Sequence, residues 1–314
     1  MCPQNKTEVN EIVLLGFQDL TSSTIPFFIV SLLIYVGILC GNSLIILLVT
    51  FTENLQTPMF FFVKHLGLAD FLFTTNILPL MLHLTLNGNV SVPLGFCLFQ
   101  LYFAGVSGFV QGSILAVMSY DRYLAICRPL HYVSIMRSNV CVQLVIGCWI
   151  VVFILITSGI ILVYQLQFCG FNHIDHFYCD LGPVIALSTS DTSLLSLVVF
   201  FSTIPMIFIP CVFVIVTYIC ILISILRISS RTGRKKAFST CSSHLVVVCT
   251  YYVTMITVYS IPPSRNSLNI NKFLSLLYIV FTPIVNPIIY SWRSKEIRET
   301  LKKYVRAIVR PRKI

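Results

Sequence analysis

Residues 118–132 read Met118-Ser-Tyr-Asp-Arg-Tyr-Leu-Ala-Ile-Cys-Arg-Pro-Leu-His-Tyr132, and they follow an apolar run of membrane length. The stretch places Asp121, Arg122 and Tyr123 where hydrocarbon gives way to water. A guanidinium is costly to leave unpaired in lipid, and at the membrane edge it can also be presented to a soluble partner. The stretch therefore predicts a membrane protein with a charged group at one end of a span that can be held or released.

The composition of the whole chain is that of a protein that lives in lipid. Of its 314 residues, 57% are hydrophobic and only 10% are charged, whereas soluble domains are about one quarter charged. Runs of about 20 apolar residues, enough to cross about 30 Å of hydrocarbon, occupy residues 26–50, 58–83, 94–120, 141–164, 194–226, 237–261 and 273–292. We expect an all-α membrane protein, a seven-transmembrane helix bundle with its termini on opposite sides.

The distribution of basic residues orients this bundle. All but three of the 21 lysines and arginines lie in the loops and tail of one side, the exceptions being Lys6, Arg265 and Lys272. Because cytoplasmic loops retain lysine and arginine, the amino terminus is expected outside the plasma membrane and the carboxyl terminus inside. The net charge of +10 then indicates contact with anionic membrane lipid and not with nucleic acid.

Three regions follow from this topology. Residues 1–25 form an extracellular segment in which Asn5 begins an Asn-Lys-Thr glycosylation acceptor. Residues 26–292 form the bundle, and residues 293–314 form a cytoplasmic tail. Within the tail, residues 294–309 space apolar side chains three or four apart among basic ones, which predicts an amphipathic helix on the inner leaflet; these side chains are Ile297, Leu301, Tyr304 and Ile308.

Polar residues inside the apolar spans are candidates for function. Asn42, Asp70 and Asn286 each need a partner within the bundle. Asp70 has two interpretations that the residues leave open, interhelical packing and a site for a sodium ion or a proton-linked switch. Asn286-Pro-Ile-Ile-Tyr290 combines an amide, a kink and a phenol, and Tyr218 lies at a comparable depth. Two tyrosines that swing between packing and hydrogen bonding predict a bundle with two arrangements.

Five prolines within the predicted spans indicate where helices bend, because proline lacks an N–H and frees a backbone carbonyl. They are Pro79, Pro205, Pro210, Pro283 and Pro287.

Four of the twelve cysteines fall on the outer side, namely Cys2, Cys97, Cys169 and Cys179. Cys97 opens the third span and Cys179 lies in the long loop 165–193, so a bond between them would pin that loop across the mouth of the bundle. Spacing alone does not fix the pairing. The other eight cysteines fall in spans or cytoplasmic loops, where small buried apolar residues are expected.

Several stretches, taken together, resemble the rhodopsin-like seven-helix G-protein-coupled receptors and, within them, the odorant (olfactory) receptors. The resemblance covers essentially the whole chain, and 236–244 is its most diagnostic part. The stretches are Pro58-Met-Phe-Phe-Phe62, Leu66-Gly-Leu-Ala-Asp70, Met118–Tyr132, Lys236-Ala-Phe-Ser-Thr-Cys-Ser-Ser-His244 and Pro283-Ile-Val-Asn-Pro-Ile-Ile-Tyr290.

The resemblance implies a Cys97–Cys179 disulfide, a small-molecule odorant as ligand and coupling to a heterotrimeric G protein of the olfactory, cyclase-stimulating type. By position it assigns a ligand pocket in the outer half of the bundle to Leu101, Ala104, Gly105, Gly108, Phe109, Ser202, Thr203, Met206, Tyr252, Met255, Ile256, Tyr259 and Leu276. It assigns the switch that meets the G protein to Asp121, Arg122, Tyr123, Tyr218, His244, Asn286, Pro287 and Tyr290. The lining is apolar with a few hydroxyls, which suits a small, neutral, volatile molecule.

The chain departs from the pattern of its apparent family at several positions. Gln111 replaces a common acid of the polar core that also holds Asn42 and Asp70, and Thr189 replaces a loop cysteine, leaving Cys169 either free or paired with Cys2. Arg234 stands where many related receptors carry an acid that locks the arginine of the third span. Arg122 is therefore expected to rest on Asp121 and uncharged partners.

Two absences restrict the class of ligand. Ala104 stands where receptors for amines carry a carboxylate, and no lysine falls within the predicted seventh span, which excludes attachment of retinal. The cluster His173, Asp175, His176 and Asp180 lacks a complete ligand spacing, so solvated loop residues are expected there in place of a metal site.

Two other classes of protein are alternatives to a receptor. A transporter or channel, the alternative function, predicts repeated halves or a continuous polar path, and Asp70 alone does not make one. A membrane enzyme predicts a His-Glu-x-x-His motif, paired aspartates or a serine–histidine dyad at facing depths. The sequence shows neither pattern. We expect a receptor with no enzymatic activity and no cofactor.

Overall fold

The computed structural model describes residues 9–18, 23–260 and 268–309, without the side chains of residues 236, 240, 259, 260, 268, 269, 292, 293, 295 and 307–309. Two of the predicted sites, Asn5 and the side chain of Tyr259, lie outside this description, as do Cys2 and the side chain of Ile308.

Seven helices of the described chain are long and apolar enough to cross a membrane. Each coincides with one predicted span, so the expected seven-helix bundle is confirmed. Spans 1 to 7 are Thr24–Phe51, Pro58–Asn87, Leu94–Cys127, Ser138–Tyr164, Ser193–Leu226, Arg231–Ser260 and Leu268–Arg293. Their outer surfaces carry many exposed large apolar side chains, such as Leu33, Phe51 and Phe200. In lipid such surfaces need no cover, because the surroundings are as apolar as the side chains.

Span 3 is the centre of the bundle and packs against spans 2, 4, 5 and 6. Span 5 is interrupted near its middle, where Pro205 lies in a π-helical segment, Ile204–Phe208, between Ser193–Thr203 and Ile209–Leu226. Proline removes one backbone donor and its ring crowds the preceding turn, which favours such a widened turn. The irregularity lies at one of the five prolines where the sequence predicts that helices bend.

Four short helical segments connect or extend the spans. They are the 3₁₀ turn Glu53–Leu55, the loop helix Pro129–Ile135, the helix Leu181–Ala186 in the long loop and the tail helix Lys295–Val309. The tail helix confirms the predicted helix at residues 294–309. It packs against the 3₁₀ turn, with Ile297 fully buried, whereas Tyr304 is 43% exposed.

A three-stranded sheet covers one end of the bundle, here called the sheet end; the opposite end, beside the tail helix, is the tail end. Strand β1, Glu11–Leu14, pairs antiparallel with β2, Val90–Pro93, and parallel with β3, His173–Ile174. Helices dominate the fold as expected, but these strands were not predicted. Strands of four and two residues are too short to give a periodic signal.

The long loop 165–193 is fastened to the spans beneath it. Cys179 is disulfide-bonded to Cys97, as the resemblance implied, and its backbone N–H donates to Oε1 of Gln100 at 2.9 Å. Gln100 and Asn76 exchange side-chain to backbone hydrogen bonds of 2.9 and 2.8 Å between spans 3 and 2. Cys169 is also disulfide-bonded, which excludes the free thiol that the sequence had left open.

Lys272 ties three parts of the sheet end together and corrects one expectation. The lysine lies within span 7, contrary to the prediction that this span holds none, and its side chain is 2% exposed. Its ammonium donates to the backbone carbonyl of Gly16 at 2.8 Å and pairs with the carboxylate of Asp175 in the long loop. Gly16 has φ of 59°, a conformation that glycine adopts without strain. Both partners engage the ammonium, so this lysine serves the fold.

His176 is the second correction at the sheet end, because the sequence predicted a solvated loop residue. It is 5% exposed, and its ring lies 4.7 Å from that of Phe177 and 4.6 Å from that of Tyr178. Burial, reinforced by the charge of Lys272, lowers the pKa of His176 to about 3. The imidazole therefore stays neutral at physiological pH and packs as an aromatic residue.

The two partners of the Lys272–Asp175 pair should differ in how costly they are to remove. Asp175→Ala leaves a buried ammonium without its counter-charge, and breaking a buried pair in this way costs about 3 kcal/mol or more. Lys272→Met leaves a carboxylate that is 34% exposed and can be hydrated. We expect the melting temperature of the purified protein to fall more for Asp175→Ala than for Lys272→Met. The melting temperature of the double variant should be close to that of Lys272→Met. Equal decreases in melting temperature for the two single variants would contradict this account.

Candidate functional site

A junction of polar side chains joins spans 1, 2 and 7 in the middle of the bundle. Pro287 has no N–H, so the carbonyl of Pro283, one turn earlier, has no partner within its helix. Nδ2 of Asn42 donates to that carbonyl at 3.1 Å and to the carbonyl of Ile38 at 3.0 Å. Nδ2 of Asn286 donates to Oδ2 of Asp70 at 2.7 Å. The three polar residues predicted from sequence are thus brought together with the proline that creates the need for them; this group is called the polar junction below.

Glycines let the three helices of the polar junction approach closely. A Cβ on Gly41 would lie 3.1 Å from the ring of Pro287, and one on Gly67 would lie 3.2 Å from Oδ1 of Asn42. Around the junction, several buried polar atoms have no hydrogen-bond partner among the described residues. They are Oδ1 of Asn42, Asp70 and Asn286, both side-chain polar atoms of Gln111, Oγ1 of Thr282 and the hydroxyl of Tyr290.

The second group, the arginine cluster, consists of Asp121, Arg122 and Tyr132 at the tail end of span 3. Nε and Nη2 of Arg122 donate to Oδ2 of Asp121 at 3.1 and 2.6 Å. The hydroxyl of Tyr132, on the loop helix, donates to Oδ1 of the same carboxylate at 2.8 Å. Asp121 is fully buried and the Arg122 side chain is 13% exposed. The carboxylate is therefore satisfied by three donors, and the guanidinium is held against its own helix.

Tyr132 ends the stretch 118–132, but the sequence predicts no role for its side chain. Burial and the Asp121 carboxylate raise the pKa of its hydroxyl well above the usual range, so it remains a hydrogen-bond donor. Its position eleven residues beyond Asp121 gave no periodic signal, because the chain leaves span 3 and turns into the loop helix between them. Tyr123, which the resemblance assigns to the switch, stacks on Tyr120 with ring centroids 6.4 Å apart.

A hydrogen bond between Tyr218 and His244 joins spans 5 and 6. The Tyr218 hydroxyl lies 2.7 Å from Nδ1 of His244, and both side chains are buried. In the part of the chain that the structure describes, neither Tyr218 nor Tyr290 is hydrogen-bonded to Arg122. Arg234, which replaces the acid of related receptors, donates to the carbonyl of Ile228 at 3.1 Å.

Two buried tyrosines close the centre of the bundle above these groups and are called the tyrosine floor. Tyr251 donates to the carbonyl of Gly108 at 2.9 Å, and a Cβ on Gly112 would lie only 2.7 Å from its hydroxyl. The Tyr278 hydroxyl would lie 3.1 Å from a Cβ on Gly108. Sequence reasoning missed both tyrosines. The signal that could have found them is the pair of glycines four residues apart on span 3, since small residues let a neighbouring helix approach.

The predicted pocket residues do not all share one environment. Six of them are buried inside the bundle, namely Leu101, Ala104, Gly108, Met206, Tyr252 and Met255. Phe109, Ser202, Thr203 and Leu276 are partly buried. Two others lie elsewhere. A Cβ on Gly105 would lie 3.2 Å from the side chain of Ile156, so this glycine faces span 4. Ile256 is 49% exposed, on the same outer row of span 6 as Val253.

Comparison with known proteins points to one family. The family described as olfactory receptor matches residues 31–307. Olfactory receptor 6X1 of Homo sapiens is 41% identical over 300 residues, covering 96% of both chains. Olfactory receptor 1M1 of Mus musculus is 39% identical over 305 residues, covering 97% of both. Olfactory receptor 6C4 of Homo sapiens is 39% identical over 307 residues, covering 98% of this chain and 99% of that one.

The close contact between Gly112 and Tyr251 leads to a test of the tyrosine floor. Gly112→Ala places a methyl group within 2.9 Å of the hydroxyl oxygen and two ring atoms of Tyr251, a side chain that is 1% exposed, so the tyrosine must move. Overpacking of this kind costs about 1–3 kcal/mol of unfolding free energy. Thermal melting of the purified variant should show the loss.

Gly147→Ala is the matched control, because a Cβ there meets nothing within 4 Å and alanine favours helix. Combining Gly112→Ala with Tyr251→Ala should cost less than the sum of the two single changes. If Gly112→Ala melts as Gly147→Ala does, the tyrosine does not occupy this position.

Proposed function

Because this chain belongs to the olfactory receptor family, we propose that it binds a small, largely apolar odorant in the sheet-end half of its bundle and activates a cyclase-stimulating G protein at the tail end. As a member of that family it is a multi-pass G-protein-coupled receptor for odorants, and it is not an enzyme. Membership in the olfactory receptor family also argues against the alternative function, a transporter or channel.

The proposed orientation puts the sheet end outside the cell and the tail end in the cytosol. Two independent features support it. Lysines and arginines concentrate in the loops and tail of the tail end, as cytoplasmic loops do. The disulfide-bonded cysteines Cys97, Cys169 and Cys179 all lie at the sheet end, and disulfides form in oxidising compartments. In this proposal residues 1–25 are extracellular and carry a glycan on Asn5, residues 26–292 form the bundle, and residues 293–314 are cytoplasmic.

The observation that carries the signalling proposal is the arginine cluster. A buried carboxylate holds Arg122 through two hydrogen bonds and is itself held by Tyr132. This arrangement is a resting state, because the guanidinium is engaged within its own helix. In the proposed active state Arg122 leaves Asp121 and contacts the G protein. Release requires span 6 to move outward, which breaks the hydrogen bond between Tyr218 and His244.

The polar junction gives span 7 a place to pivot in this proposal. Its helix has no hydrogen bond from position 287, and the freed carbonyl depends on Asn42 of another span. A bond between helices can be exchanged more readily than one within a helix. We therefore assign Asn286, Pro287 and Tyr290 to the moving part of span 7 and Asn42 and Asp70 to the part against which it moves.

Removing the Tyr132 hydroxyl should raise signalling in the absence of odorant. Tyr132→Phe deletes one hydrogen bond to a charged group, and a loss of about 1.4 kcal/mol from the resting state shifts the equilibrium about tenfold. Cyclic AMP in cells that co-express the olfactory G protein measures the effect. Arg122→Ala should abolish the odorant response while receptor remains on the cell surface.

Tyr120→Phe is the control for this experiment, since the hydroxyl of Tyr120 has no hydrogen bond within the described ranges. An antibody against an amino-terminal tag on intact cells measures surface receptor and reports the orientation as well. Full odorant signalling by Arg122→Ala would refute the role of the arginine, and staining only after permeabilisation would refute the orientation.

The proposed pocket lies on the sheet-end side of the tyrosine floor. Span 3 contributes Leu101 and Ala104, span 5 contributes Met206, and span 6 contributes Tyr252 and Met255. The π-helical segment that holds Met206 packs against span 3, so its side chain and those of span 3 border the same region. An apolar lining of this kind discriminates by shape, at about 1–3 kcal/mol for each methylene. The further candidates for its lining are Ser202, Thr203, Phe109, Leu276 and Tyr259.

Two neighbouring residues of span 6 test where the ligand binds. Met255 is 2% exposed and Ile256 is 49% exposed, so only the former can line an internal pocket. Met255→Ala should change the relative potencies of a homologous series of odorants by about tenfold or more, favouring longer members. Ile256→Ala should leave the potency series unchanged, with cyclic AMP as the readout and surface expression measured in parallel. The opposite pattern would place the ligand elsewhere.

A further inference from the structure

A cavity of about 270 Å³ lies at the tail end, between spans 1, 2 and 4. Its wall includes Lys64 and Phe61 of span 2, Thr50 of span 1, Ser138 of span 4, and Thr57 and Met136 of the adjoining loops. Pockets for drug-sized ligands measure about 300–1,000 Å³. The cavity is therefore of a size for a polar head group or a small molecule.

The charge of this cavity is positive. The ammonium of Lys64 lies 5.5 Å from the centre of the Phe61 ring, and it forms no ion pair with any described acidic residue. The first turns of span 2 and span 4 also border the cavity, beginning at Pro58 and Ser138, and neither is capped by a side-chain hydrogen bond. Helix amino termini favour anions. All of these groups would stabilise a negative ligand.

The position of the cavity indicates that the ligand comes from the membrane. The 3₁₀ turn Glu53–Leu55 leads directly into Gln56 and Thr57 of the cavity wall, and the amphipathic tail helix packs against that turn. A helix of this kind lies at the level of lipid head groups. Thr50 and Val142, on opposite sides of the cavity, are both exposed on the outer surface of the bundle. A lipid can therefore reach the cavity from the side.

We propose that this cavity binds the head group of an anionic phospholipid, with Lys64 contacting its phosphate. The hydroxyls of Thr57 and Ser138 can accept or donate hydrogen bonds, and that of Thr50, which donates to the carbonyl of Ile46 at 2.7 Å, can accept one. Such groups suit the hydroxylated ring of a phosphoinositide. Phe61 and Met136 supply the apolar wall against which the glycerol and the first methylenes pack. The lipid would clamp spans 2 and 4 together at the tail end. This site is separate from the odorant pocket, and lipid binding by the purified protein does not depend on the proposed orientation.

Native mass spectrometry of the purified full chain, titrated with phosphatidylinositol 4-phosphate, tests the proposal. Lys64→Gln should weaken binding about fivefold, the effect expected for one basic residue at an anionic membrane surface. Lys303→Gln is the matched control, because it removes one exposed lysine from the tail helix in the same leaflet. Ser138→Phe should also weaken binding, since it fills the cavity and leaves Lys64 in place. Melting in phosphatidylcholine alone shows whether each variant is folded.

Three results would overturn the proposal. The first is equal weakening by Lys64→Gln and Lys303→Gln, which indicates diffuse attraction to the tail end. The second is binding of phosphatidylcholine as tight as that of the phosphoinositide. The third is equally tight, Lys64-dependent binding of the soluble glycerophosphoinositol 4-phosphate, which would identify a site for a free anion and not for a lipid. Odorant signalling enters none of these measurements, so their outcome is separate from that of the proposed function.

Discussion

The structure depends on one constraint, that hydrocarbon offers no partner to a polar group. Pro287 breaks the hydrogen bonding of span 7, and the carbonyl it frees must be satisfied by another helix. Asn42 satisfies it, and this requirement fixes how spans 1 and 7 meet. Asn286 then reaches Asp70, which adds span 2. The tight approach at Gly41 and Gly67 follows from the same requirement, because the amide must come within hydrogen-bonding distance of a backbone.

The same constraint explains how loops are attached at both ends of the bundle. In the described residues there are two ion pairs, and in each the cation has little solvent exposure. In one pair a loop residue donates a hydrogen bond to the carboxylate, and in the other the carboxylate itself belongs to a loop. At the tail end, Tyr132 of the loop helix binds the carboxylate of Asp121. At the sheet end, the long loop supplies Asp175 to Lys272. Since an unpaired buried charge is costly, each loop is held where its polar group is needed, and a change in either loop alters a buried charge.

The sequence predicted those parts of the fold that depend on length and composition. The seven apolar runs and the tail helix were both anticipated, because each has a long local signal. Contacts between distant segments were not. The three strands are too short to show a period, and Tyr132, Tyr251 and Lys272 act through partners that only the fold brings near. Family resemblance located Cys97–Cys179 but could not tell that Ile256 faces outward.

Span 6 connects the two ends of the proposed mechanism. Tyr251 and Met255 lie on the inward side of this helix, together with His244, which is about 10 Å along the axis from Tyr251. A helix moves as a rigid element over that length, so a ligand that displaces the tyrosine floor must also displace His244. The hydrogen bond between Tyr218 and His244 has an optimal length of about 3 Å and weakens steeply beyond it. In the proposed mechanism, a shift at the floor breaks this bond and exchanges one arrangement of spans 5 and 6 for another, so that an odorant acts on Arg122 without touching it.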